Sequence, residues 1–159
     1  MGDRHERWQA AERLALALTE GGMQRMHART LAVFLFTDAE TVTMGEIADR
    51  LGASAGSISG AIKALLAAGL IERLPAPGSR REHYRMRDDA WPTMFSSQNA
   101  YTQVMLKAAD TGIATTAPDD AAHRRLTRMR DFYTFMLREL PGLLRRWEEE
   151  QRSASPPAR

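Results

Sequence analysis

Apolar positions recur at helical spacing over the first third of the chain. Trp8, Ala11, Ala15 and Leu18 stand three and four residues apart, which predicts a helix from about Glu6 to Glu20, ended by Gly21-Gly22. A second helix, from near Met26 or His27, carries Leu31, Phe34 and Leu35 and ends by Thr37-Asp38-Ala39. In "TVTMGEIADRLGAS", Thr43 and Glu46 have the spacing of a capping box, in which hydroxyl and carboxylate each satisfy an orphan backbone N–H. Ile47, Ala48 and Leu51 follow as a short stripe, and Gly52 fits a left-handed C-cap. Ser54 is placed to cap the next helix, where Ile58, Ile62, Leu65 and Leu66 keep the helical period until Gly69. The period then falls to two: "LIERL" alternates like a half-buried strand, "PAPGSR" is turn chemistry, and "REHYRM" can return as a second strand.

After Trp91-Pro92 the texture is helical again. A long helix is expected from about Thr93 to Asp110, with Phe95, Gln98, Thr102, Met105 and Ala109 on one line, followed by a break at "TGIATTAPDD". From Asp119 onward Leu126, Met129, Tyr133, Met136, Leu140, Leu143 and Trp147 alternate three-four over three heptads. That spacing belongs to a helix packed along one seam against a partner helix. Pro141 should kink the helix or restart it. The expected organisation is an N-terminal helix (1–22), a central domain (23–90), a second helical region (91–150) and a disordered tail (151–159).

The helix after Ser54 is thinned on one side. Gly52, Gly56 and Gly60 recur every four residues, although glycine inside a helix costs about 0.5–1 kcal/mol relative to alanine. Opposite the apolar stripe stand Ala55, Gly56, Ser59, Gly60 and Lys63, with Ser57 near the start. Helix, "GAS" turn, helix and hairpin together make a winged helix-turn-helix. A face of small residues ending in a cation suits close approach to base edges and phosphates in a DNA major groove. The helix carries no Arg, Asn or Gln for bidentate base contacts, so its own base discrimination should be modest. The competing reading is that Gly56 and Gly60 admit another helix of the same chain.

Charge sharpens this. The net charge of +2 on 159 residues says little, but between Ser54 and Arg87 six cations (Lys63, Arg73, Arg80, Arg81, Arg85, Arg87) meet two carboxylates, Glu72 and Glu82. This local excess suits a polyanion. Arg80 and Arg81 follow "PGS" at the hairpin tip, where an arginine can reach a minor groove. Arg85 and Arg87 alternate with Tyr84 and Met86 and should face solvent.

The stretch "GMQRMHARTLAVFLFTDAETVTMGEIADRLGASAGSISGAIKALLAAGLIERLPAPGSRREHYRM", followed by two long helices, resembles the MarR family of winged-helix transcriptional regulators, in particular its GbsR-like branch. The resemblance implies a mainly α fold: a winged helix-turn-helix with a small β-hairpin wing and long N- and C-terminal dimerisation helices. It implies a homodimer, a probable-repressor role on a near-palindromic operator of double-stranded DNA, and release by a small apolar or amphipathic effector held between the lobes. Carried over, the DNA-binding positions are Ser54, Gly56, Ser57, Ser59, Gly60, Lys63, Arg80 and Arg81; the heptad positions from Leu126 to Trp147 are the expected dimer seam. Many wings of that family carry an aspartate beside the tip arginine. Here the neighbours are Gly78 and Ser79, which leaves two arginines as candidates for the groove. Trp8, Trp91, Met94 and Phe95 are the candidates to line an apolar ligand cavity, or else to be packed core.

Other chemistries are disfavoured. No cysteine is present, so disulfides, thiolate catalysis and cysteine zinc sites fall away, which fits a cytoplasmic protein. The charged start lacks the apolar core of a secretory signal, and no run suggests a membrane span. "GASAG" matches the nucleophile-elbow pattern but is expected after a helix and not a strand. His5, His27, His83 and His123 show no metal-ligand spacing, and no cofactor is expected. Two rivals to DNA binding remain: a winged-helix protein-interaction module, and a helical small-molecule binder or enzyme.

Overall fold

The computed structural model describes residues 2–97 and 99–154, with side chains from residue 5. The elements are α1 (Gly2–Glu20), α2 (Arg25–Phe36), β1 (Val42–Thr43), α3 (Met44–Leu51), α4 (Ala55–Ala67), β2 (Ile71–Leu74), β3 (His83–Met86), α5 (Ala90–Ser97), α6 (Asn99–Ala114) and α7 (Ala121–Ala154). Two compact units divide between Met94 and Phe95.

In the first unit, α1 and α2 meet through alanine. Ala11 and Ala15 of α1 bury against Ala28 and Ala32 of α2, with Trp8, Leu18, Met23 and Phe36 at the fringe. Small residues every fourth position let two helices lie close. Glu12 and Arg29 close one side of this contact with a bidentate bond, at 2.7 and 3.1 Å. The larger core joins Leu31 and Phe34 of α2, Ile47 and Leu51 of α3, Ile58, Ile62 and Leu65 of α4, and Val42, Ile71 and Tyr84 of the sheet. All of these except Val42 lie on stripes or strands whose periodicity is visible in the sequence.

The sheet is antiparallel in the order β1-β3-β2. Val42 pairs with Tyr84, and Arg73 pairs with the same Tyr84 from the other side. β1 is an addition to the hairpin expected from the sequence. It holds two residues and pairs with a strand some forty residues on, so it leaves no local alternation to read.

Capping follows the sequence closely. The Thr43 hydroxyl accepts the Glu46 N–H at 3.3 Å, and the Glu46 carboxylate accepts the Thr43 N–H at 2.7 Å. Gly52 ends α3 in the left-handed region, at φ 59°. Gly69, at φ 71°, turns α4 into β2 with Thr93 of α5 packed against it: a Cβ there would meet Thr93 Cγ2 at 2.4 Å.

The second unit is built on α6 and α7. Gly112 of α6 lies so close to Leu126 of α7 that a Cβ would meet its Cδ1 at 2.8 Å. Where one long helix was expected from Thr93 to Asp110, α5 begins earlier, at Ala90, with Pro92 in its first turn, and α6 runs on to Ala114. Gln98 lies outside the described residues. α7 stays helical through Pro141 and on to Ala154, so residues 151–154, expected in the tail, are helical; residues 155–159 lie outside the described residues. An interior proline removes one N–H and crowds the preceding turn. On a helix with no buried residue, water can take the freed carbonyl.

Two stability predictions follow from these contacts. Gly69→Ala should destabilise the protein by about 1–3 kcal/mol, because it combines positive φ with a steric clash; urea unfolding measures this. Thr43→Ala should cost about 1 kcal/mol at neutral pH. Glu46 is held below the usual carboxylate range, first by the Thr43 N–H and then by its hydroxyl. A lowered folded-state value means that this stabilisation is present above the ordinary carboxylate pKa and is lost as pH falls through the folded one. The gap between wild type and Thr43→Ala should therefore narrow on acidification below about pH 4.

Candidate nucleic-acid interface

The interface begins with how α4 is seated. Ile58, Ala61, Ile62 and Leu65 are buried, so the opposite side of the helix faces outward. Ser54, Gly56, Ser57, Gly60 and Lys63 are exposed there, and Ser59 is half-buried at the edge. A Cβ added at Gly56 or Gly60 would meet nothing within 4 Å. The glycines therefore do not make room for another helix of this chain, and the competing reading of the sequence is overturned for the described residues. Ser54 caps the helix: its hydroxyl accepts the Ser57 N–H at 3.2 Å and lies 2.9 Å from the Ser57 hydroxyl. This cap, following α3 and not a strand, also removes the nucleophile-elbow geometry.

The hairpin sorts the six cations of this region into two sets. Arg85 lies opposite Glu72 in the ladder and bonds it at 2.7 Å. Arg87 bonds Asp89 at 2.8 Å and stands 3.9 Å from Glu72. Arg73 bonds Glu82 at 2.9 Å and lies over the Tyr84 ring. The expectation that Arg85 and Arg87 simply face solvent is thus corrected: both are half-buried and paired, Arg85 with the carboxylate directly across the ladder and Arg87, just past the strand, with the aspartate two residues on. Lys63, Arg80 and Arg81 are left with no carboxylate partner among the described residues. Burial, and then the bond to Glu82, push the Tyr84 hydroxyl above its ordinary value, so it stays a hydrogen-bond donor at neutral pH.

The wing tip is a defined turn. The Ser79 N–H donates to the Ala76 carbonyl at 3.0 Å, with Pro77 and Gly78 between them and Gly78 at φ 81°. Proline then positive-φ glycine is the arrangement of a type II turn. Arg80 and Arg81 follow it, exposed.

Comparison with known proteins agrees with this architecture. The model of the MarR family matches residues 21–82, and that of the MmpR5-like MarR family transcriptional regulators matches residues 89–150. The HTH-type transcriptional regulator MmpR5 of Mycobacterium tuberculosis is 31% identical over 129 residues, covering 80% of this chain and 78% of its own. The chain belongs to the MarR family of transcriptional regulators. A crystal structure of a transcriptional regulator, 27% identical, superposes with a TM-score of 0.82 over 91% of this chain and 99% of the other. The expected fold class, mainly α with a winged helix-turn-helix, is therefore the observed one.

In this MarR-family chain the remaining expected positions are scattered. Trp8 and Met94 pack at the edge of the first unit's core, whereas Trp91 and Phe95 are exposed. The heptad positions of α7 divide. Leu126, Met129, Tyr133 and Leu140 are half-buried, and Leu126 packs on Gly112 of its own chain. Met136, Leu143 and Trp147 are exposed, and Phe132, absent from the expected seam, joins them at 59% exposure. Phe132, Met136, Leu143 and Trp147 fall within about 60° of one another at 100° per residue. A heptad template marks apolar seams but does not say which partner covers them, so it could not make this division. Among the described residues no group of three acidic or histidine side chains could hold a metal, and no helix is long and apolar enough to cross a membrane.

If the small-residue face serves only as surface, adding a side chain to it is harmless to the fold. Gly56→Ala should leave stability unchanged or raise it by up to about 1 kcal/mol, read as a shift in denaturation midpoint. A loss of more than about 1 kcal/mol would show that this face is packed after all.

Proposed function

We propose that this regulator acts as a homodimer on operator DNA, setting α4 in the major groove and the β2–β3 wing in the minor groove. The carrying observation is that α4 exposes a face with no bulk on it, ending in Lys63, while Lys63 and the wing-tip Arg80 and Arg81 are exposed and have no carboxylate partner among the described residues. Phosphate contacts supply most of the affinity, and the helix N-terminus at Ser54 adds a favourable end for a phosphate. Ser57 and Ser59 offer hydroxyls to base edges, Gly56 and Gly60 the close approach. Two such helices would sit about one helical turn apart, roughly 34–36 Å, on one side of the duplex.

Support for the dimer comes from α7, which buries no residue yet exposes Phe132, Met136, Leu143 and Trp147 in one stripe. Monomers rarely leave so contiguous an apolar strip in water. The finer parts of the reading are repression, a cytoplasmic location, the GbsR-like branch and an apolar effector. The branch rests on the resemblance of residues 22–86. The effector rests on the family resemblance alone.

Anisotropy titrations of a duplex from the protein's own upstream region test the DNA reading. Affinity should fall steeply with salt, and Lys63→Ala should lower the slope of log K against log salt by about 1. Arg80→Ala with Arg81→Ala should weaken binding about tenfold or more. Unchanged binding in both variants would remove the assignment, and no duplex binding at all would favour the protein-interaction rival. For the dimer, sedimentation of the wild type at micromolar concentration should give a dimer and Met136→Glu a monomer; a monomeric wild type contradicts it.

A further inference from the structure

The wing offers two adjacent arginines, and the structure distinguishes them. We propose that Arg81, and not Arg80, is the side chain that enters the minor groove, and that Ser79 is its positioning residue. This rests on the DNA-binding reading above and goes beyond it by assigning the groove contact to one side chain and its orientation to another.

The argument starts from the backbone. The Ser79 hydroxyl accepts the Arg81 N–H at 3.0 Å and donates to the Arg81 carbonyl at 3.3 Å. These two groups belong to the peptide units on either side of the Arg81 Cα. One hydroxyl therefore holds both planes that set the direction of the Arg81 Cα–Cβ bond. Arg80 is held on its C-terminal side only. Ser79 is itself anchored by its N–H on the Ala76 carbonyl, across the Pro77-Gly78 turn. The latch is thus tied to the rigid part of the tip. Locking one residue's backbone before binding removes an ordering cost that would otherwise oppose the contact.

A second observation concerns charge. Glu82 follows Arg81 directly and is the carboxylate best placed in sequence to neutralise it. In the structure Glu82 turns elsewhere: Arg73 bonds it at 2.9 Å, and the Tyr84 hydroxyl donates to it. Arg73 in turn lies 5.9 Å from the centroid of the Tyr84 ring, whose backbone pairs with it across the ladder. Arg73, Glu82 and Tyr84 form a closed set behind the tip, and Arg81 keeps its full charge for a minor groove, where a narrow groove strengthens the negative potential.

The test uses the full-length protein and a duplex of its upstream region, in two forms. In the second form the adenines flanking the central site are replaced by 2,6-diaminopurine. This adds an amino group in the minor groove and leaves the major-groove pattern of A·T in place. Wild type should bind the substituted duplex several-fold more weakly. Arg81→Ala should abolish that difference, while Arg80→Ala should weaken both duplexes equally and keep it. Ser79→Ala should weaken binding about fivefold, the scale of freeing one residue's backbone. It should add nothing in the Arg81→Ala background, and Ser79→Thr, which keeps the hydroxyl, should restore it. The proposal is overturned if Arg80→Ala and not Arg81→Ala abolishes the difference, if wild type ignores the diaminopurine, or if Ser79→Ala and Arg81→Ala are additive. Failure of the wild type to bind any upstream duplex would instead remove the DNA reading itself, and the wing assignment with it.

Discussion

The seating of α4 on the core is the constraint on which the rest depends. Ile58, Ile62 and Leu65 are nearly inaccessible to water, and each contributes about 1.5–3 kcal/mol by its burial. At 100° per residue, Gly56, Gly60 and Lys63 stand about 130° or more around the helix from the centre of that buried face. Rotating α4 to hide the small-residue face would expose those three apolar side chains, at a cost comparable to the whole stability of a domain this size. The core thus decides what is presented outward. The Ser54 cap and the Gly52 C-cap then fix where the two short helices begin and end.

Electrostatics complete the surface by subtraction. The region between Ser54 and Arg87 is basic in composition, yet composition alone does not locate its charge. The antiparallel register places Glu72 against Arg85, and the Arg73–Glu82–Tyr84 set occupies another cation. Such exposed pairs add little to stability. Their effect is to leave Lys63, at the end of the bare helix face, and the two tip arginines as the cations of the region without a carboxylate partner among the described residues.

Much of this was legible in the amino-acid order because it is local. The capping box at Thr43 and Glu46, the glycine after α3, the Ser54 cap and the stripes of α1 to α4 all act within a few residues of one another. What the order hides is long-range or comes from choice among partners. β1 is two residues long and exists through a pairing with β3. Arg85 looks free until the ladder register sets Glu72 beside it. The heptads of α7 look like one seam, but Leu126 belongs to Gly112 of α6 and Phe132 lies among the exposed positions. The Ser79 latch needs a hydroxyl to reach two groups of a residue two positions on, and no pattern of residue types announces it.

The account holds that the α4 face is bare because a duplex must come close to it, and because nothing among the described residues of its own chain does. Gly60→Leu separates these statements when unfolding and duplex affinity are measured on the same preparation. Leucine is the better helix former by roughly 0.5–1 kcal/mol, and open space surrounds the position, so the denaturation midpoint should hold or rise. Affinity for the upstream duplex should drop by about tenfold or more, from lost close contact in the groove. Undiminished affinity in a variant that folds as well as the wild type would contradict the account.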